Sequence, residues 1–133
     1  MSQENINRLR ANLETFNRTG EINGEDLAPT FEMHQASSIV DTAGVFHGPN
    51  AIRDSLRELQ EAFEELSFEA EDFIEAPNGD IVVLIHARGR GRGSGMDVDN
   101  HIAHVWTFRD GQAIRLVAYE EQAEALEATG LRE

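Results

Sequence analysis

The apolar residues of this chain change their period after Glu65, and that switch constrains the fold more than any other feature. Before it, Ile6, Leu9, Leu13 and Phe16, and later Ile52, Leu56, Leu59 and Phe63, recur at helical spacing. After it, apolar and polar residues alternate, as they do in strands that bury one face. Two tight-turn signals cut this second half into hairpins: Pro77-Asn-Gly-Asp80 and Asp110-Gly111, where Asn-Gly and Asp-Gly accept positive φ at little cost.

The resulting order can be written out. A helix starts near Ser2 and stops at Gly20, and a short second helix is expected from Gly24 to Phe31, limited by Pro29. A strand follows from His34 to Asp41, then a third helix from Ala51 to about Glu65. Strands are expected at Ser67 to Ala76, Ile81 to Arg92, Val98 to Arg109 and Ala113 to Tyr119, and a closing helix at Glu120 to Ala128. No linker or repeat interrupts residues 1–133, so one α+β domain with an antiparallel sheet is expected.

Composition narrows the partners. The formal net charge is −14, from 25 acidic residues against 11 arginines and no lysine. Such a surface repels nucleic-acid phosphates and anionic membranes, and neither is an expected partner. The run from Arg88 to Gly95, with three arginines between glycines, is therefore read as a hairpin and not as an RNA-binding segment. The glycines also lack the strand-to-helix context of a phosphate loop. Cysteine is absent, which removes disulfides and thiolate metal sites. The N-terminus has no apolar signal core and no apolar run reaches membrane-spanning length, so a cytoplasmic location is expected.

The segment Asn100 to Gly111, NHIAHVWTFRDG, concentrates the candidate chemistry. Alternation puts His104, Trp106 and Phe108 on one face, and His101, Ala103, Val105, Thr107 and Arg109 on the other. The face with the large aromatics is the natural cavity side, so His104 is expected in a pocket and His101 outside it. His86 alternates with Val82, Leu84 and Arg88 and can reach a substrate oxygen or solvent. Glu120 ends a strand on the parity of Leu116 and Ala118 and can close a pocket or cap the next helix. His86, His101 and His104 do not share a face, so no metal site is expected.

Phe46-His-Gly-Pro-Asn-Ala-Ile-Arg53, His104-Val-Trp-Thr-Phe-Arg-Asp-Gly111 and the tail Glu121 to Leu131, in that order, resemble the SnoaL-like and ketosteroid-isomerase-like members of the nuclear transport factor 2-like superfamily. The resemblance spans nearly the whole chain. It implies a curved sheet wrapped into a cone around the helices, and a bacterial source. It implies a homodimer paired through the outer sheet face, here Ala103, Val105, Thr107, Val117 and Tyr119. It also aligns His104 with the buried acid that hydrogen-bonds the oxyanion in ketosteroid isomerases, and Asp41 with their proton-shuttling carboxylate. Asp41 also opens the turn Asp-Thr-Ala-Gly44, in which an aspartate bonds its own backbone. The tyrosine those isomerases carry on the first helix is missing, and Asn12, Leu13 and Phe16 occupy that region.

Two function classes follow, because the superfamily holds both enzymes and binders. One is cofactor-independent acid–base catalysis of isomerase, cyclase or dehydratase type on a small apolar carbonyl compound. In it His104 is the donor, Asp41 the base, and Phe16, His86, Trp106, Phe108 and Glu120 contact the substrate. The other is a non-catalytic ligand-binding or dimerisation module. No dinucleotide, flavin or metal motif is visible, and no cofactor is expected.

Overall fold

The computed structural model describes residues 2–21, 27–36 and 45–131. Its elements are α1 (Ser2–Thr19), β1 (Leu27–Ala36), β2 (Val45–His47), α2 (Ala51–Ala62), β3 (Phe63–Glu75), β4 (Ile81–Gly91), β5 (Asp97–Arg109), β6 (Gln112–Tyr119) and α3 (Gln122–Ala128). The strands form one curved, unclosed sheet in the order β2-β1-β6-β5-β4-β3. Consecutive strands from β3 to β6 pair antiparallel, joined by the two expected tight turns and, between β4 and β5, by the glycine-containing loop from Arg92 to Met96. The exception to antiparallel pairing is β1, which lies parallel to β6 from Glu32↔Arg115 to Ala36↔Tyr119.

Two expectations change, and one short strand is added to the expected order. Leu27 to Phe31 is strand, not helix; Phe31 is fully buried, and a strand whose inner residues meet Leu116 buries them better than a helix cut short by Pro29. Phe46-His47 forms part of the short edge strand β2. The helix expected to reach Glu65 ends at Ala62, where Phe63 turns extended and starts β3 opposite Gly91.

The turns behave differently from each other. Asp110 and Gly111 both have positive φ, 53° and 79°, as a two-residue loop matched to sheet twist needs. At the other hairpin only Gly79 does, and Ala76 bonds Asp80 across a three-residue loop.

Curvature comes from register shifts. In β3 the pairing slips between Glu64 and Ser67 and again between Ala70 and Asp72, and β5 with β6 slips between Thr107 and Phe108. Each extra residue bends its strand and raises the local twist. The second slip also inverts parity: Phe68 and Phe73 both pack on the inner core, although they are five residues apart.

The bent sheet holds α1 and α2 on its inner face. Leu9 and Phe16 of α1 pack with Phe68, Ile81, Val83 and Ile85, and Leu56 and Leu59 of α2 close over them. The edge strand β3 is tied down by Asn17. Its Nδ2 donates to the Phe68 carbonyl and its Oδ1 accepts from the Phe68 N–H, both at 2.8 Å. One side chain thus satisfies a backbone pair that the end of the sheet leaves open.

The outer face carries α3. Ala125 is fully buried against Val82, Ala103, Val105 and Val117, with Leu126 and Tyr119 around them. Ala103, Val105 and Val117, which the sequence reading assigned to a dimer contact, are thereby covered by the chain's own C-terminal helix. Among the described residues no helix is long and apolar enough to cross a membrane.

Candidate functional site

Between α1, α2 and the inner sheet face lies a cavity of about 280 Å³. Its wall is mostly hydrocarbon: Leu9, Leu13 and Phe16 from α1, Leu56 and Leu59 from α2, and Val83, Ile85, Trp106 and Leu116 from the sheet. Among the described residues five polar ones interrupt it, namely Asn12, Ser55, His104, Tyr119 and Glu120. Alternation along β5 explains why the wall has this composition. Ile102, His104 and Trp106 face inward, while Ala103 and Val105 face α3.

His104 is the most altered group in the cavity. Its ring stands 6.4 Å from that of Phe68, and no hydrogen bond to it occurs among the described residues. Every fully enclosed side-chain nitrogen or oxygen among those residues is bonded, so the His104 nitrogens must reach open space, and the space they line is the cavity. Burial strips water from the ring and lowers its pKa from 6.5 to about 4. The imidazole is therefore neutral near pH 7, with one N–H to donate and one lone pair to accept.

The other expected site residues divide. Trp106 lines the cavity and packs on Phe31 at 6.2 Å between ring centroids; Phe16 and Glu120 line it too. Phe108 does not. It lies behind Trp106, 6.3 Å away, at the hairpin end where Arg8 of α1 donates to the Gly111 carbonyl, and it fills core. Asp41 lies outside the described residues.

His86 is a correction. Val83 and Ile85 line the cavity, so the opposite parity puts His86 on the outer face. There it pairs with His101 of β5, their rings stacked 4.4 Å apart at 11°. His86 Nε2 lies 2.5 Å from Asp99 Oδ1, and His101 Nδ1 lies 2.9 Å from Glu71 Oε1. The bond from His101, then that from Gln122, holds the Glu71 carboxyl below its usual range, and the bond from His86 does the same for Asp99.

Ser55, Asn12 and Tyr119 were missed as cavity residues. Two had a signal in the sequence. Asn12 stands three residues after Leu9 and four before Phe16, and Ser55 three after Ile52 and four before Leu59, each a polar residue inside an apolar helical stripe. Tyr119 had none, since it borders the cavity while also packing with the outer cluster at the end of β6.

A SnoaL-like domain model matches residues 12–116, which includes β5 and most of the cavity wall but not Tyr119 or Glu120. The chain belongs to the SnoaL-like family. Solved structures share its fold at low identity. A nuclear transport factor 2-like protein of unknown function from Burkholderia pseudomallei is 24% identical, with a TM-score of 0.72 over 94% of this chain and 96% of that one. Bal32a, from a soil-derived mobile gene cassette, is 16% identical with a TM-score of 0.73, covering 96% and 97%. TerC, crystallised with polyporic acid, is 20% identical with a TM-score of 0.71, covering 95% and 98%. No curated protein matches. These SnoaL-like and nuclear transport factor 2-like relatives establish the fold of the cone and leave its contents open.

Proposed function

We propose that this SnoaL-like protein binds a small, largely apolar carbonyl compound in the cone, with the neutral His104 imidazole donating a hydrogen bond to the carbonyl oxygen. The observation that carries this reading is an imidazole ring with no hydrogen-bond partner among the described residues, lining an apolar cavity where burial holds its pKa down. A donor already aimed at open space costs little reorganisation when an oxygen arrives. The volume of about 280 Å³ sits at the lower end of ligand pockets, which favours a molecule of one or two rings over a tetracyclic one. TerC offers a parallel in kind, since it was crystallised with polyporic acid.

Catalysis is a second reading, favoured by the presence of Glu120 in the same cavity. A carboxylate there can take a proton from the carbon next to the carbonyl while His104 stabilises the oxygen of the resulting enolate. Return of that proton to another carbon completes an isomerisation, and no cofactor is consumed.

Calorimetry with a panel of small enones and hydroxyquinones tests the binding. A hit that His104→Leu weakens at least about tenfold supports the reading, since a hydrogen bond to a buried partner is worth about 1.5 kcal/mol or more. Equal affinity in the variant, or no hit across the panel, overturns it. Deuterium exchange into the bound compound, lost in Glu120→Gln with affinity kept, separates enzyme from binder.

A further inference from the structure

We infer that His86, Asp99 and His101 on the outer sheet face form a binding site for a divalent transition-metal ion of the Zn²⁺ class. One donor atom from each of the three lies within 4.8 Å of the others. A tetrahedral ion with bonds near 2.1 Å holds its ligand atoms about 3.4 Å apart, so small side-chain rotations bring the three into range. Two imidazoles and a carboxylate suit a borderline metal and not a hard cation such as Ca²⁺, which takes oxygen ligands.

The backbone and the surrounding residues support the arrangement. His86 and His101 are direct partners in the β4–β5 ladder, and Asp99 precedes His101 by two residues on the same face of β5. The sheet thus presents all three side chains without help from a loop. Glu71, the residue inserted where β3 slips register, accepts a hydrogen bond from His101 Nδ1 at 2.9 Å and another from Gln122 of α3 at 2.9 Å. A carboxylate only accepts, so His101 carries its proton on Nδ1 and keeps the Nε2 lone pair for a metal. Orientation of a ligating histidine by a carboxylate is how metal sites fix the tautomer. The site joins β4 and β5 directly, and β3 and α3 through Glu71 and Gln122.

One cation already stands nearby. Arg88 places Nη2 3.2 Å from His86 Nδ1, and its side chain is exposed. The ion must displace the proton between His86 and Asp99, and Arg88 must swing outward. Removing that arginine is therefore expected to tighten metal binding.

Titration of the full chain with Zn²⁺, followed by calorimetry and thermal melting, tests the site. One Zn²⁺ per chain with a raised Tm is expected. His101→Ala and Asp99→Asn should each weaken it at least about tenfold, Glu71→Gln by about tenfold, and Arg88→Ala should strengthen it. His34→Ala, which breaks the separate His34–Glu32 pair, should leave it unchanged. Far-ultraviolet circular dichroism checks that each variant is folded. Absence of Zn²⁺ binding, equal binding in His101→Ala and Asp99→Asn, or displacement of Zn²⁺ by equimolar Ca²⁺ overturns the inference.

Discussion

His101 and His104 leave the same strand three residues apart and end on opposite sides of the sheet, one bonded to Glu71 on the outer face, the other lining the cavity. An odd separation in an extended chain has this consequence, and it makes the pair a built-in comparison.

Ligand binding is expected to respond to His104 and not to His101. For any carbonyl compound that the cone accepts, His104→Leu should raise Kd at least about tenfold, and His101→Ala should change it by less than about twofold. Calorimetry on both variants reads the difference, and equal losses would mean that the ligand is not held through the inner face.

The pH dependence of stability has a definite sign. The His104 pKa is about 4 in the folded chain against 6.5 in the unfolded one, so between those values only the unfolded state takes the proton. Stability is expected to fall as pH drops from about 7 to about 4, by at most about 3 kcal/mol from this residue, and this contribution levels off below that. His104→Leu removes it, so urea unfolding at pH 7 and pH 4.5 should show a smaller loss in the variant than in the parent. Identical losses would place the ring in water.

Asn17→Ala should destabilise the chain by about 2 kcal/mol, because it removes both bonds to the Phe68 backbone and leaves that pair at the end of the sheet unsatisfied. Urea unfolding measures this. A cost below about 0.5 kcal/mol would mean that water replaces the side chain freely.

Ala125→Asp places a charge where no surface is exposed, beneath α3. It is expected to cost more than about 2 kcal/mol and to lift the helix from Val105 and Val117. Light scattering should then report self-association through the uncovered apolar face. A variant that stays stable and unassociated would show that α3 does not seal it.

Much of this protein follows from local sequence. The change of period after Glu65, the turn residues Asn78-Gly79 and Asp110-Gly111, and the stripes of α1 and α2 determine the helices, the four consecutive strands and their antiparallel order. They do so because steric limits on φ and ψ and the burial of one face act within a few residues. The alternation of NHIAHVWTFRDG likewise puts His104 and Trp106 together and His101 opposite. Only the tertiary structure decided the rest. Leu27 to Phe31 became strand because β6 offered a partner more than 80 residues away, and no local pattern carries that. His86 went outward because the cavity side of β4 depends on which face α1 covers, a choice that Val82 and Val83 leave open since both are fully buried. The meeting of His86, Asp99 and His101 with Glu71 needed a register slip in β3, and the cover over Val105 and Val117 needed the docking of α3. Each is a contact between segments far apart in the chain, set by packing over the whole core and not by the preference of any one stretch.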